Sequence, residues 1–124
     1  MKLFVYGSLK QGFWNNTRLN GAKFLGPALT KKNYTLMAGG FPYAVTADVG
    51  HKQLPIMGEV FEIDEGHLAR CDALEGHPNW YRRDTIKVTM LSGEEEDVMI
   101  YEWNSPLNQR VCDVVEDKYY HWLG

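Results

Sequence analysis

Few of the 124 residues are placed to do chemistry, and Glu75 comes first among them. In a helix advancing 100° per residue, Leu68, Cys71 and Leu74 define an apolar stripe. Glu75 follows Cys71 by four residues and falls on the same stripe. It also falls in the last turn, where the helix dipole favours cations over carboxylates. A residue that violates two local preferences at once marks a candidate functional position. Held against a core, its carboxyl would be pushed up by desolvation and by the helix end. That suits a general acid/base working near neutral pH. A helix ending earlier would instead leave Glu75 in solvent or paired with Arg82 or Arg83.

The second candidate is the passage Phe4-Val5-Tyr6-Gly7-Ser8-Leu9-Lys10. A glycine directly after a strand lets successive backbone N–H groups converge, a nest for a carboxylate or a developing oxyanion. An ordinary turn has the same sequence signature. Other chemistry has no visible footing. The chain carries neither a Gly-x-x-x-x-Gly-Lys-Ser/Thr loop nor a Gly-x-Gly-x-x-Gly turn. His51, His67, His77 and His121 lack metal-ligand spacing. His77, in a Gly-His-Pro turn, reads as a surface residue. Ser8 has no His/Asp partner that the sequence can place. The run Glu94-Glu95-Glu96-Asp97 reads as a solvated turn. A reaction without metal or cofactor, driven by one carboxylate, is the simplest enzymatic reading.

The elements that must position these groups follow from pattern and punctuation. Residues 3–6 form a short apolar strand ending at Gly7-Ser8. Residues 12–20 hold a helical turn or a loop. Strands are expected at 22–30, interrupted by Gly26-Pro27, and at 33–37. After the Gly39-Gly40-Phe41-Pro42 break come 43–45, a turn at Asp48-Val49-Gly50, and 56–63. Asp64 can cap a helix running from about 65 to 75, which Gly76 and Pro78 stop. Residues 85–91 alternate, with Ile86, Val88 and Met90 on one face, and Ser92-Gly93-Glu94 turns the chain into a return strand at 98–103. A last strand is expected within 111–115, then an aromatic closing segment at 119–123. Many strands with one helix and no regular β-α alternation imply an α+β fold, with a mixed, mostly antiparallel sheet curled or closed.

Composition narrows the partners. Thirteen Lys+Arg against sixteen Asp+Glu leave a net charge of −3, which argues against nucleic acid. No apolar stretch reaches the ~20 residues a membrane span needs, and the N-terminus lacks signal-peptide features. Cys71 and Cys112 make no disulfide framework. A single domain over 1–124, reduced and cytoplasmic, is expected. The oligomeric state stays open, with a monomer favoured.

Three segments carry a resemblance. Tyr6-Gly7-Ser8-Leu9-Lys10 resembles the opening motif of the γ-glutamylcyclotransferase-like superfamily. Gly58-Glu59-Val60-Phe61-Glu62-Ile63-Asp64 is similar to that family's strand entering its main helix. Cys71-Asp72-Ala73-Leu74-Glu75-Gly76, Pro78 and Tyr81-Arg82-Arg83 resemble the segment that follows, and Tyr101 fits the return strand. The variant looks closest to γ-glutamylamine cyclotransferases and AIG2-like proteins. The resemblance implies a small mixed β-barrel with one main helix, short flanking helices and a cavity at one end. It implies cyclisation of a small γ-glutamyl substrate to 5-oxoproline without a cofactor, with Glu75 as catalytic acid/base. It further implies Tyr6, Gly7, Ser8 and Leu9 as substrate-binding residues. Tyr81, Arg83 and Tyr101 are further cavity candidates. The competing readings are a non-catalytic small-molecule-binding domain of the same fold, and an interaction module using Trp14, Trp80, Trp103 or Trp122.

Overall fold

The computed structural model describes residues 1–38, 41–103 and 110–124. Gly39 and Gly40 of the expected break lie outside them. The strands are β1 (Lys2–Val5), β2 (Lys23–Thr30), β3 (Thr35–Ala38), β4 (Pro42–Val45) and β5 (Met57–Glu62). After helix α1 (Glu65–Glu75) come β6 (Arg82–Met90), β7 (Glu95–Trp103), β8 (Arg110–Val111), β9 (Val114–Val115) and β10 (Tyr119–Tyr120). The sheet runs β1-β5-β2-β6-β7, and β1 returns to β7 in parallel through Leu3 opposite Met99, closing a five-stranded barrel. β4 also lies parallel to β7, farther along, with β3 and β8 beyond it. The other strand pairs are antiparallel. The expected mixed barrel with one main helix is therefore the observed fold. Flanking helical structure among the described residues is one 3-10 segment, Trp14–Leu19. No helix there is long and apolar enough to cross a membrane.

The apolar run in β1 is continuous because both its faces are covered, while side chains alternate across a strand. Phe4 joins the barrel interior with Ala28, Val60, Val88 and Ile100. Leu3 and Val5 face outward and pack with Phe61, Ile63 and Cys71 beneath α1. The hairpin β6–β7 shows the simpler pattern. Ile86, Val88 and Met90 point inward, and Lys87 pairs outward with Asp97 at 3.0 Å.

The helix keeps its expected ends for local reasons. The Asp64 carboxylate accepts from the His67 N–H at 2.8 Å, and His67 Nδ1 accepts from the Asp64 N–H at 3.1 Å. His67 Nε2–H donates to the Asn20 carbonyl at 2.8 Å, which fixes the tautomer and ties α1 to the 3-10 segment. Gly76 closes the helix at φ 63°, a left-handed conformation that costs glycine little.

Several details differ from the expected pattern. β6 and β7 each begin three residues earlier than expected, at Arg82 and Glu95, so Glu95, Glu96 and Asp97 of the expected turn belong to a strand. Gly26-Pro27 does not interrupt β2. Gly26, at φ 133°, takes up a register shift against β5 and the strand continues. The strand expected within 111–115 is two short pieces, β8 on β3 and β9 on β10. On α1, Cys71 is fully buried, whereas Leu68 and Leu74 are half-buried and His67 is buried beside them.

Gly58 sets how closely β5 approaches β1. A Cβ there would meet the Val5 carbonyl oxygen and, at 2.5 Å, Phe4 Cζ. Both neighbours belong to the barrel wall, so neither yields cheaply. Gly58→Ala is expected to destabilise the protein by about 3 kcal/mol, the upper range for overpacking. The measurement is the urea midpoint at constant m-value; an unchanged midpoint would mean the two strands separate freely.

Candidate active site

The cavity opens where β1 and β4 diverge along one edge of β7. Met99 of β7 pairs with Leu3 of β1, and Glu102 and Trp103 pair with Ala44 and Val45 of β4. Tyr6 fills the fork between them. Its hydroxyl donates to the Tyr101 carbonyl at 2.6 Å and accepts from the Ala44 N–H at 3.1 Å. A side chain thus takes the place of a ladder bond, and the Tyr6 ring is left as a cavity wall. Burial drives its hydroxyl pKa well up, consistent with a neutral, structural hydroxyl.

The cavity holds about 120 Å³, and its lining includes Tyr6, Gly7, Ser8, Leu9, Glu75, Tyr81 and Tyr101. All but one of the residues singled out in the sequence therefore meet at one place. Phe4, Val5, Asn15, Phe41, Pro42 and Leu74 complete the lining. The chain leaves β1 at Val5 and turns tightly, with the Lys10 N–H donating to the Gly7 carbonyl at 3.0 Å. Among the described residues, the N–H groups of Gly7, Ser8 and Leu9 have no partner in the protein. Three backbone donors are thus available at the cavity wall.

Glu75 reaches the cavity from the last turn of α1. It is half-buried, and no hydrogen bond or ion pair engages its carboxylate among the described residues. Desolvation alone pushes its carboxyl up to about 7. The same apolar surroundings raise Tyr81, with the Glu75 charge adding to the effect. Cys71, one helical turn away, is pushed up to about 12, so it is a thiol packed in the core.

Arg83 is the exception. It does not line the cavity: its Nε–H donates to Asp72 Oδ1 at 2.7 Å. The same oxygen accepts from the Tyr101 hydroxyl at 2.6 Å. In the β6–β7 register Arg83 lies opposite Tyr101, so both side chains reach the carboxylate on the neighbouring helix. Asp72 thereby fastens the last turn of α1, and with it Glu75, to two barrel strands. Its signal in the sequence was a poor helix former inside a helix. Tyr81 does line the cavity, and its hydroxyl donates to the Pro42 carbonyl at 2.9 Å. Asn15, which the sequence reading missed, is buried against Ser8.

Among the described residues no group of His, Cys, Asp and Glu is arranged to hold a metal ion. The tryptophans do not form one exposed patch. Trp14 and Trp80 are exposed, Trp103 packs among Tyr43, Trp80 and Tyr81, and Trp122 is buried against Phe13.

Comparison with known proteins places the chain among similar ones. Residues 3–122 match the sequence model of the family described as gamma-glutamyl cyclotransferase, AIG2-like. A provisionally named gamma-glutamylcyclotransferase of Methanocaldococcus jannaschii is 43% identical over 101 residues, 80% of this chain and 81% of that protein. Gamma-glutamylaminecyclotransferase C of Danio rerio is 35% identical over 108 residues, 81% of this chain and 70% of that one. The crystal structure of an AIG2-like protein from Mus musculus superposes with a TM-score of 0.71, covering 98% of this chain and 95% of that one. At 23% identity it is a likeness of fold.

Proposed function

Because the chain belongs to the gamma-glutamyl cyclotransferase, AIG2-like family, we propose that it cyclises a γ-glutamyl amine or amide to 5-oxoproline, with Glu75 as general base and then general acid. The observation that carries this reading is Glu75 itself. It is a carboxyl with no partner among the described residues, pushed up to about 7, lining the same cavity as a turn whose amide donors are free among those residues.

The substrate supplies both nucleophile and electrophile. Its α-amine attacks its own γ-carbonyl carbon, a C–N bond forms, and a tetrahedral oxyanion results. The original amide C–N bond then breaks and the amine leaves. Fixing the folded-back conformer contributes on the order of 7–11 kcal/mol to lowering the barrier. The α-amine, with a pKa near ~8, enters largely protonated. Glu75 accepts that proton and returns it to the departing nitrogen. After attack the ring nitrogen sheds a second proton through the same carboxylate to the released amine, which leaves as an ammonium while the lactam nitrogen keeps one. A pKa near 7 suits these transfers. The amides of Gly7, Ser8 and Leu9 stand ready for the substrate α-carboxylate or the oxyanion. Phe4, Leu74 and Tyr81 supply apolar wall beside these donors, and a lower local dielectric strengthens hydrogen bonds to developing charge.

The test is a panel of γ-glutamyl compounds scored for 5-oxoproline: γ-glutamyl-lysine isopeptide, γ-glutamyl amino acids and γ-glutamylated polyamines. Turnover of at least one member is expected, undiminished by a chelator or a thiol-blocking reagent. Binding of these compounds without 5-oxoproline release would mark a non-catalytic domain of the same fold.

A further inference from the structure

The hydroxyl of Ser8 sits at the cavity wall with its hydrogen-bond direction already decided. Arg18 begins the chain of cause. Its guanidinium carries only donors, and its Nη1–H donates to Asn15 Oδ1 at 3.2 Å. The Asn15 amide is therefore turned with its NH₂ towards Ser8, and Nδ2–H donates to Ser8 Oγ at 2.9 Å. Asn15 is 1% exposed, so water does not scramble this arrangement. A hydroxyl that accepts from a neighbour still has its own proton to give. Among the described residues no protein group takes that proton. The neighbouring Asn16 holds the rest of the turn through Nδ2–H to the Leu9 carbonyl at 2.8 Å, so the turn does not swing to supply an acceptor.

We propose that Arg18 and Asn15 form a relay that fixes Ser8 as a hydrogen-bond donor into the cavity, aimed at a carbonyl or carboxylate oxygen of the bound γ-glutamyl group. Asn15 is then a positioning residue acting through Ser8. The cavity offers a fourth donor beside the three turn amides, and the ligand side must present an oxygen acceptor. The assignment rests on the cyclisation reading above for the identity of the ligand, and on the donor–acceptor count alone for its direction.

Asn15→Asp tests it most directly. The new carboxylate keeps its contact with Arg18, so the buried charge has a partner, but it accepts from Ser8 where the amide donated. The Ser8 proton is drawn away from the cavity. A hydrogen bond to a charged oxygen is worth about 10- to 100-fold, and kcat/KM is expected to fall by that much in Asn15→Asp and in Ser8→Ala. Ser8→Thr, which keeps the hydroxyl, is expected to recover most of the loss. In the Ser8→Ala background Asn15→Asp is expected to add less than about threefold, because contacting residues acting through one group are non-additive. Equal cost in both backgrounds would overturn the relay and reduce Asn15 to a structural residue. Should Asn15→Asp fail to fold, Arg18→Met takes its place: it frees the amide to flip, and its effect must likewise vanish in the Ser8→Ala background.

The affinity for 5-oxoproline, measured by calorimetry on the same proteins, separates this inference from the reaction. A wild type that binds 5-oxoproline more tightly than Asn15→Asp, yet turns over no γ-glutamyl compound, sinks the cyclisation and supports the relay. A wild type that turns over while Asn15→Asp matches it in both assays supports the cyclisation and sinks the relay.

Discussion

Glu75→Gln is expected to lower 5-oxoproline release by about 10³-fold or more while making the folded protein more stable above neutral pH. Both effects come from one buried charge. General acid–base catalysis by a positioned group contributes roughly 10²–10⁴-fold, and glutamine neither accepts nor returns a proton. The stability effect has a definite sign. The carboxyl titrates at about 7 in the folded protein, against an ordinary value of 4.5. Below the ordinary value both folded and unfolded chains hold the proton, and the group costs nothing. Between the two values the unfolded chain ionises first, so folding stability falls as pH rises. Above about 7 the folded protein carries the buried charge at its full cost, about 3 kcal/mol for that displacement. Glutamine never carries it. Urea denaturation is therefore expected to show wild type and Glu75→Gln equal near pH 4.5, with the variant ahead by about 3 kcal/mol at pH 8. The wild-type kcat/KM should rise with pH through about 7, as the base form appears. Near-normal turnover by Glu75→Gln would sink the assigned role, and equal stability at pH 8 would mean that the carboxylate is well solvated.

The position of Glu75 was legible in the sequence because its causes are local. Asp64, Gly76 and Pro78 bracket the helix by capping chemistry that acts within a few residues, and the bracket fixes which side chain ends the buried stripe. The alternation of Ile86, Val88 and Met90 was legible for the same reason. Strand number and pattern left the sheet curled or closed without deciding between the two. Closure as a barrel depends on a parallel contact between Leu3 and Met99, distant along the chain, and was implied by the family resemblance. The Tyr6 hydroxyl bridging two strands is equally non-local. Arg83 was a cavity candidate through the resemblance of Tyr81-Arg82-Arg83 to the family's segment, and it sits near the start of β6. Which way its side chain leans depends on Asp72, supplied by an element packed against that strand. His67 shows a different blindness. It occupies the place of the Glu or Gln usual in a capping box, so a search for metal spacing passed over a histidine whose work is to hold two helical segments together.

Gly7→Ala is expected to cost about 100-fold in kcat/KM although the added group is a single methyl. Gly7 is not held at a positive φ, so backbone strain plays no part and the question is one of space. A Cβ at Gly7 would stand 2.6 Å from Pro42 Cγ and 3.1 Å from Cδ, against the 3.4 Å at which ordinary contact begins. The proline ring cannot rotate away, and the Pro42 carbonyl is engaged by Tyr81. Relief must come from the turn, which has to retreat by just under 1 Å and takes the amides of Gly7, Ser8 and Leu9 with it. Misplacing catalytic groups by about 1 Å costs on the order of 10²-fold, since preorganised donors act only at the position where charge develops. The loss should appear mainly in kcat if the amides serve the oxyanion, and mainly in KM if they serve the α-carboxylate, so the variant also separates those two roles. Pro42→Ala removes the opposing ring atoms. Combined with Gly7→Ala it is expected to restore a large part of the lost activity, whereas an unrescued double variant would place the damage in the turn's own conformation and not in its distance from β4.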